Sequence, residues 1–137
     1  MTEAESGAAG IENRRPLSPH LQIYHPALTM AMSIAHRITG AALYFGTLLL
    51  AWFLIAVAAG GGVYDSAAYF LNSFAGKLIL FAFTWALFHH LLGGIRHAIW
   101  DTGRGFEHPL REWLAQATLI GGIVLTLLVW GIAYLVN

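Results

Sequence analysis

The chain has 137 residues, of which 58% are hydrophobic and only 10% are charged, and it contains no cysteine. Soluble domains carry about 25% charged residues, so this composition argues against both a soluble globule and a disordered chain. The formal net charge is zero, which excludes a basic surface for nucleic acid. Without cysteine there is no disulfide, thiolate metal site or cysteine-ligated cluster in this chain. Metal ligation would therefore use histidine, of which there are seven.

Residues 1–26 are predicted to form a cytoplasmic tail followed by a proline-rich extended segment. Residues 1–13 are rich in Ala, Gly, Glu and Ser and contain no apolar run, which is unlike a signal peptide. Their acidic residues are also unlike a mitochondrial transit peptide, in which arginine predominates. Three prolines lie between residues 14 and 32, so a helix is expected to begin only after Pro26, near Ala27.

Residues 27–137 contain three long segments almost free of charge, and each is long enough to cross a hydrocarbon core of about 30 Å. The predicted transmembrane helices occupy about residues 34–59, 77–98 and 113–136. The glycines at 60–62 are expected to end the first helix, and a short interfacial segment is expected near residues 67–74. The sequence therefore predicts an all-α membrane protein with three transmembrane helices.

Lysine and arginine are distributed unevenly between the two ends of these helices. Six arginines lie on the side of the N-terminus, and only Lys77 lies on the other side. An excess of positive charge marks the cytoplasmic side, so the N-terminus is predicted to be cytoplasmic. The predicted location is a bacterial plasma membrane, with the mitochondrial inner membrane as the alternative. This orientation also places the start of the first helix beside the end of the second, so two polar clusters are expected to meet.

The first cluster is the run SIAHRITG at residues 33–40. Ser33, His36, Arg37 and Gly40 are spaced i, i+3, i+4 and i+7, so they share one face of a helix. Arg37 and Ser33 suit an anionic or carbonyl-bearing ligand, because the guanidinium and the hydroxyl are both hydrogen-bond donors. The alternative is that Arg37 reaches lipid phosphates and that His36 is merely solvated.

The second cluster lies near the end of the second predicted span and contains His90 within an apolar run, where an unpaired imidazole is costly. His90, Gly93, Gly94 and His97 also share a helical face. The two glycines are predicted to leave a flat surface against which a planar macrocycle such as haem would lie. The alternative is that the glycines serve helix packing and that His90 forms a hydrogen bond to a neighbouring helix.

Other polar residues near this cluster have different predicted roles. His89 is rotated by about 100° from His90, which favours a role in helix packing. Asp101 follows the second span and is placed to form a solvated ion pair with Arg96 or Arg104. The third span contains no Asp, Glu, Lys, Arg or His and is expected to contribute packing alone.

Three motifs occur in order along the chain: RPLSPHL at 15–21, SIAHRITG at 33–40 and HLLGGIRHAIWDTGRG at 90–105. Together with three spans, they resemble the cytochrome b membrane-anchor subunit of succinate dehydrogenase, respiratory complex II. The resemblance implies that this chain forms half of a heteromeric helix bundle with a second anchor subunit. It further implies that a flavoprotein subunit oxidises succinate, that an iron–sulfur subunit carries the electrons, and that the two anchors hold haem b and reduce ubiquinone.

The resemblance also implies roles for individual residues. His90 matches the axial ligand of the haem iron, and the second ligand is expected from the partner anchor. His36, Arg37 and His97 match the side of the haem propionates, while Ser33 and Arg37 match the quinone site. Two alternatives are a different haem b quinone oxidoreductase subunit, without a succinate-oxidising partner, and a purely structural membrane anchor.

Overall fold

The computed structural model describes residues 23–136, which form four helices in chain order. Their bounds are Leu28–Ala59 (α1), Gly61–Asn72 (α2), Phe74–Asp101 (α3) and Leu110–Val136 (α4). Helices α1, α3 and α4 are long and apolar enough to cross a membrane. The predicted all-α membrane fold with three spans is thus confirmed. Residues 1–22, which include most of the predicted N-terminal segment of residues 1–26 and the motif at residues 15–21, lie outside the described residues.

The helix boundaries follow from local chemistry. Helix α1 begins two residues after Pro26 and ends before Gly60, whose φ of 65° favours glycine. Helix α3 begins earlier than predicted because the Ser73 side chain caps it, accepting a hydrogen bond of 3.1 Å from the amide of Gly76. The expected interfacial segment is a full helix, α2, that starts directly after Gly60.

Neighbouring long helices run antiparallel, and α3 packs against both α1 and α4. The ring of Phe83 in α3 packs on Gly46 of α1. Between α3 and α4, the indole Nε1 of Trp130 donates a hydrogen bond of 3.3 Å to Oγ1 of Thr84. Helix α2 contacts α1 and α3, and its Phe70 ring meets Trp52 of α1 edge to face.

The interior of this bundle consists of small and polar side chains. The buried hydrophobic residues within the described range are Met32, Ala56, Ala67, Ala86 and Ala115. The largest fully buried side chains are Arg96, His89 and Thr126. Large apolar side chains lie on the outer surface, as expected where the surroundings are as apolar as the side chains themselves. Small residues at the helix interfaces allow the backbones to approach closely, which brings the polar side chains of α1 and α3 into contact.

Candidate functional site

The two polar clusters meet where α1 packs against α3. The rings of His36 and His90 stack with their centroids 3.9 Å apart and their planes 2° from parallel. The ring of His97 lies beside them, with its centroid 5.2 Å from that of His36. The predicted proximity of the two motifs is confirmed for these three histidines. We refer to His36 and His90 as the imidazole pair.

Each ring of the imidazole pair occupies the space above a glycine of the opposite helix. A Cβ atom added to Gly40 of α1 would lie 2.9 Å from Cε1 of His90. A Cβ atom added to Gly93 of α3 would overlap the ring of His36. Alanine at either position would therefore displace an imidazole. The absence of a side chain at both glycines is what lets the two rings stack.

The predicted flat surface at the glycines is only partly present. Gly93 is buried beneath His36, so the prediction is wrong for this residue. Gly94 is exposed, and a Cβ atom added there would meet no described atom within 4 Å. The spacing within α3 alone does not reveal that a side chain of α1 fills the space above one glycine. The open surface next to His90 is therefore at Gly94.

The hydrogen bonds of His90 determine which ring nitrogen is available for ligation. Its Nδ1 lies 3.0 Å from the backbone carbonyl oxygen of His36 and 3.4 Å from Oγ1 of Thr39. Because a carbonyl oxygen only accepts, Nδ1 carries the proton and donates it. The Nε2 atom of His90 then has a free lone pair, and among the described residues it has no hydrogen-bond partner. Metal-bound histidines commonly have this arrangement, with the second nitrogen donating to a carbonyl.

The stacking of the imidazole pair also limits how these histidines could bind one metal. The two axial ligands of a haem iron lie on opposite sides of the metal and direct nitrogen atoms towards each other. His36 and His90 instead lie face to face at 3.9 Å. They therefore do not have the geometry of two axial ligands of one iron. The Nδ1 atom of His36 faces the space above Gly93, where it is buried and has no hydrogen-bond partner in the described part of the chain.

Ser33 and Arg37 lie one helical turn apart at the same end of α1 as the imidazole pair. Ser33 is half-buried and Arg37 is exposed. Within residues 23–136, Arg37 forms no ion pair, and the Ser33 hydroxyl has no hydrogen-bond partner. Their donor groups are thus available to a ligand, a partner subunit or lipid. The structure brings them near the cluster but shows no contact between them and His90.

His89 faces α4, on the side of α3 away from the imidazole pair. It is 0% exposed, and a Cβ atom added to Gly122 of α4 would lie 3.3 Å from its Cα atom. The predicted packing role of His89 is therefore confirmed. Neither of its ring nitrogens has a hydrogen-bond partner among the described residues. The sequence pattern predicts the packing role but not this complete burial without polar contacts.

The Arg96 side chain is 2% exposed, and its guanidinium carbon lies 5.1 Å from the centre of the Trp100 ring, within the range of a cation–π interaction. The predicted ion pair between Asp101 and an arginine is wrong, because the one ion pair in the described range joins Arg111 and Glu112. Residues five apart on a helix do not share a face, so Asp101 does not reach Arg96.

Comparison with known proteins agrees with this arrangement. The sequence model of the succinate dehydrogenase/fumarate reductase transmembrane subunit family matches residues 12–130. The chain belongs to this family. The succinate dehydrogenase cytochrome b556 subunit of Paracoccus denitrificans is 42% identical over 114 residues, covering 83% of this chain and 88% of the relative. The corresponding subunit of Rickettsia felis is 40% identical over 121 residues, covering 88% and 94%.

A mitochondrial relative is also similar. The succinate dehydrogenase cytochrome b560 subunit of Mus musculus is 36% identical over 113 residues, covering 79% of this chain and 64% of the relative. The cytochrome names of these relatives imply a haem in those proteins. Membership of the transmembrane-subunit family makes this chain a multi-pass membrane-anchor subunit of succinate dehydrogenase, one part of a succinate:quinone oxidoreductase complex.

Proposed function

We propose that this subunit binds haem b through His90 and contributes Ser33 and Arg37 to a ubiquinone-reduction site. The observation that carries the proposal is the hydrogen bonding of His90, whose Nδ1 donates to the His36 carbonyl and whose Nε2 is unpartnered among the described residues. The names of the relatives, which are all cytochrome b subunits of succinate dehydrogenase, support the same cofactor class.

The residues around the imidazole pair fit a haem. His90 would bind the iron through Nε2, and its ring is held by the His36 carbonyl of α1 and by packing on Gly40. The His97 ring lies next to that of His36, and these two histidines together with Arg37 would supply hydrogen-bond donors for the propionates. When bound, haem b stores one electron at a time between the succinate-oxidising subunits and quinone. The stacking of His36 on His90 excludes His36 as a second ligand of the same iron, and the partner anchor would supply that ligand.

Quinone reduction requires two electrons and two protons, and Ser33 and Arg37 supply part of what the site needs. The Ser33 hydroxyl donates a hydrogen bond to a quinone carbonyl oxygen. The Arg37 guanidinium stabilises the negative charge that develops on the quinone oxygen during reduction. Both groups have free donors among the described contacts. The remaining groups of this site, including a proton donor, belong to the partner subunits.

The proposed assembly places this chain as half of a heteromeric helix bundle with a second anchor subunit, surrounded by lipid. An iron–sulfur subunit docks on the cytoplasmic side and receives electrons from a flavoprotein that oxidises succinate. The arginine distribution supports a cytoplasmic N-terminus, with residues 1–26 outside the three-helix anchor of residues 27–137. The similarity to bacterial relatives supports a bacterial inner membrane.

The proposal is tested by a reduced-minus-oxidised absorbance spectrum of the complex purified with its partner subunits in mild detergent. We expect a low-spin haem b spectrum that is reduced by succinate as well as by dithionite. Reduction of the haem by dithionite but not by succinate would instead favour a different quinone cytochrome. The absence of haem from an intact complex would indicate that this subunit is a purely structural anchor. We expect His90→Ala to remove or shift the spectrum. The matched control is His89→Leu, which replaces the adjacent buried histidine and leaves the spectrum unchanged.

A further inference from the structure

Thr39 of α1 contacts the candidate haem ligand through its hydroxyl group. The residue is 2% exposed, and its Oγ1 lies 3.4 Å from Nδ1 of His90. The same Oγ1 lies 2.9 Å from the carbonyl oxygen of Ala35 and 3.0 Å from that of His36. Thr39 is thus buried between the backbone of its own helix and the imidazole of α3.

The directions of these hydrogen bonds follow from the atoms involved. The hydroxyl has one proton, which it donates to one of the two carbonyls of α1. A lone pair of Oγ1 is then free to accept from Nδ1 of His90. The main acceptor of the Nδ1 proton is the His36 carbonyl oxygen, and Oγ1 is a second acceptor at a longer distance. The His36 carbonyl therefore sets the tautomer, with the proton on Nδ1 and the lone pair on Nε2, and the Thr39 hydroxyl is placed to accept a share of the same proton.

Other buried threonines of the protein lack this second contact. Thr118 and Thr126 each donate to the carbonyl oxygen four residues earlier in α4. Among the described threonines, Thr39 is the one whose hydroxyl lies within hydrogen-bond distance of a histidine nitrogen. Bonding to the helix backbone is therefore common to all three, whereas the contact with His90 is specific to Thr39.

We propose that Thr39 is a positioning residue for His90 and that its hydroxyl, as a second acceptor for the Nδ1 proton, increases the electron donation of Nε2 to the haem iron. This inference rests on the proposed ligation by His90. An acceptor on Nδ1–H makes the imidazole a stronger donor, which stabilises the oxidised iron relative to the reduced iron. The Thr39 hydroxyl therefore lowers the midpoint potential of the haem.

The test is a potentiometric titration of the haem absorbance in the purified complex, with Thr39→Val, Thr39→Ser and Thr126→Val compared with the unmodified protein. Valine keeps the shape of threonine without the hydroxyl, whereas serine keeps the hydroxyl. We expect Thr39→Val to shift the midpoint potential upwards, with Thr39→Ser and Thr126→Val close to the unmodified value. The low-spin ferric signal in electron paramagnetic resonance is expected to change only in Thr39→Val.

Several outcomes would overturn the inference. An unchanged potential in Thr39→Val would show that the hydroxyl does not act on the haem. Equal shifts in Thr39→Val and Thr39→Ser would contradict the inference, because serine retains the hydroxyl. If Thr39→Val assembles without haem, retention of haem by Thr39→Ser supports the hydroxyl, and its loss from both variants contradicts the inference.

A parallel His90→Ala sample separates this inference from the proposed function. If His90→Ala keeps the unmodified low-spin spectrum, His90 is not the haem ligand, and the proposed role of Thr39 is wrong as well. If His90→Ala loses the spectrum while Thr39→Val has the unmodified potential, the ligation stands and only the role of Thr39 is wrong.

Discussion

His36 and His90 are 54 positions apart in the chain, yet their rings stack at 3.9 Å and are nearly parallel. Each ring sits above a glycine of the other helix, so the contact is reciprocal. A shift of α1 along α3 by one residue would place a side chain where each glycine now lies. The imidazole pair therefore fixes the register of these two helices as well as the orientation of His90.

The space above Gly40 can be tested directly. We expect Gly40→Ala to move the His90 ring, because the new Cβ would lie 2.9 Å from its Cε1 atom, and overpacking of this kind costs about 1–3 kcal/mol. The haem content and absorbance maximum of the purified complex should both change. Gly131→Ala is the control, since a Cβ there meets no described atom within 4 Å. Identical spectra for the two variants would contradict the packing of His90 on Gly40.

The proposed role of Arg37 predicts a selective loss of quinone reduction. Arg37→Ala should lower succinate–quinone turnover by about 100-fold, the usual cost of removing one donor to a developing negative charge. Succinate oxidation by an artificial acceptor that bypasses the anchor should be unaffected. Arg104→Ala, which removes another exposed arginine, should leave both activities near those of the unmodified complex. Equal losses in the two assays of Arg37→Ala would indicate failed assembly.

The close approach of α3 and α4 predicts a purely structural defect. A Cβ atom on Gly122 would lie 3.3 Å from the Cα and 3.4 Å from the backbone nitrogen of His89, so α3 and α4 would have to move apart by a few tenths of an ångström. We expect Gly122→Ala to lower the free energy of unfolding by about 1–3 kcal/mol, measured by thermal unfolding of the complex. Since the contact is with backbone, His89→Leu in the same chain should not restore stability. A full rescue would show that the side chain of His89 is the obstacle.

The cap of α3 predicts a smaller effect. Ser73→Ala removes the oxygen that accepts from the Gly76 amide, and loss of such a cap costs about 1 kcal/mol. Thermal unfolding of the complex should show this lower stability, while the haem spectrum stays unchanged. Ser66→Ala is the matched control, because the Ser66 hydroxyl donates to the Gly62 carbonyl within α2 and caps no helix. Equal stability of the two variants would argue against the cap.

Much of this arrangement could be predicted from the sequence. The long uncharged segments predict the three spans, and the arginine distribution predicts that the motifs of Ser33–Gly40 and His90–His97 lie at the same end. The rotation of each helix about its axis could not be predicted, because periodicity within one helix does not show which neighbour fills a given space. For this reason, only the structure shows that His36 covers Gly93 and that Thr39 contacts His90.

Helix α2 is joined to α1 and to α3 by single residues, Gly60 and Ser73, so the connection between the two helices that carry the imidazole pair includes almost no flexible loop. The imidazole pair thus lies on one continuous hairpin of a single polypeptide. Its alignment depends on contacts made within this chain. A newly inserted subunit would therefore be able to form the stack of His36 and His90 before it meets another chain.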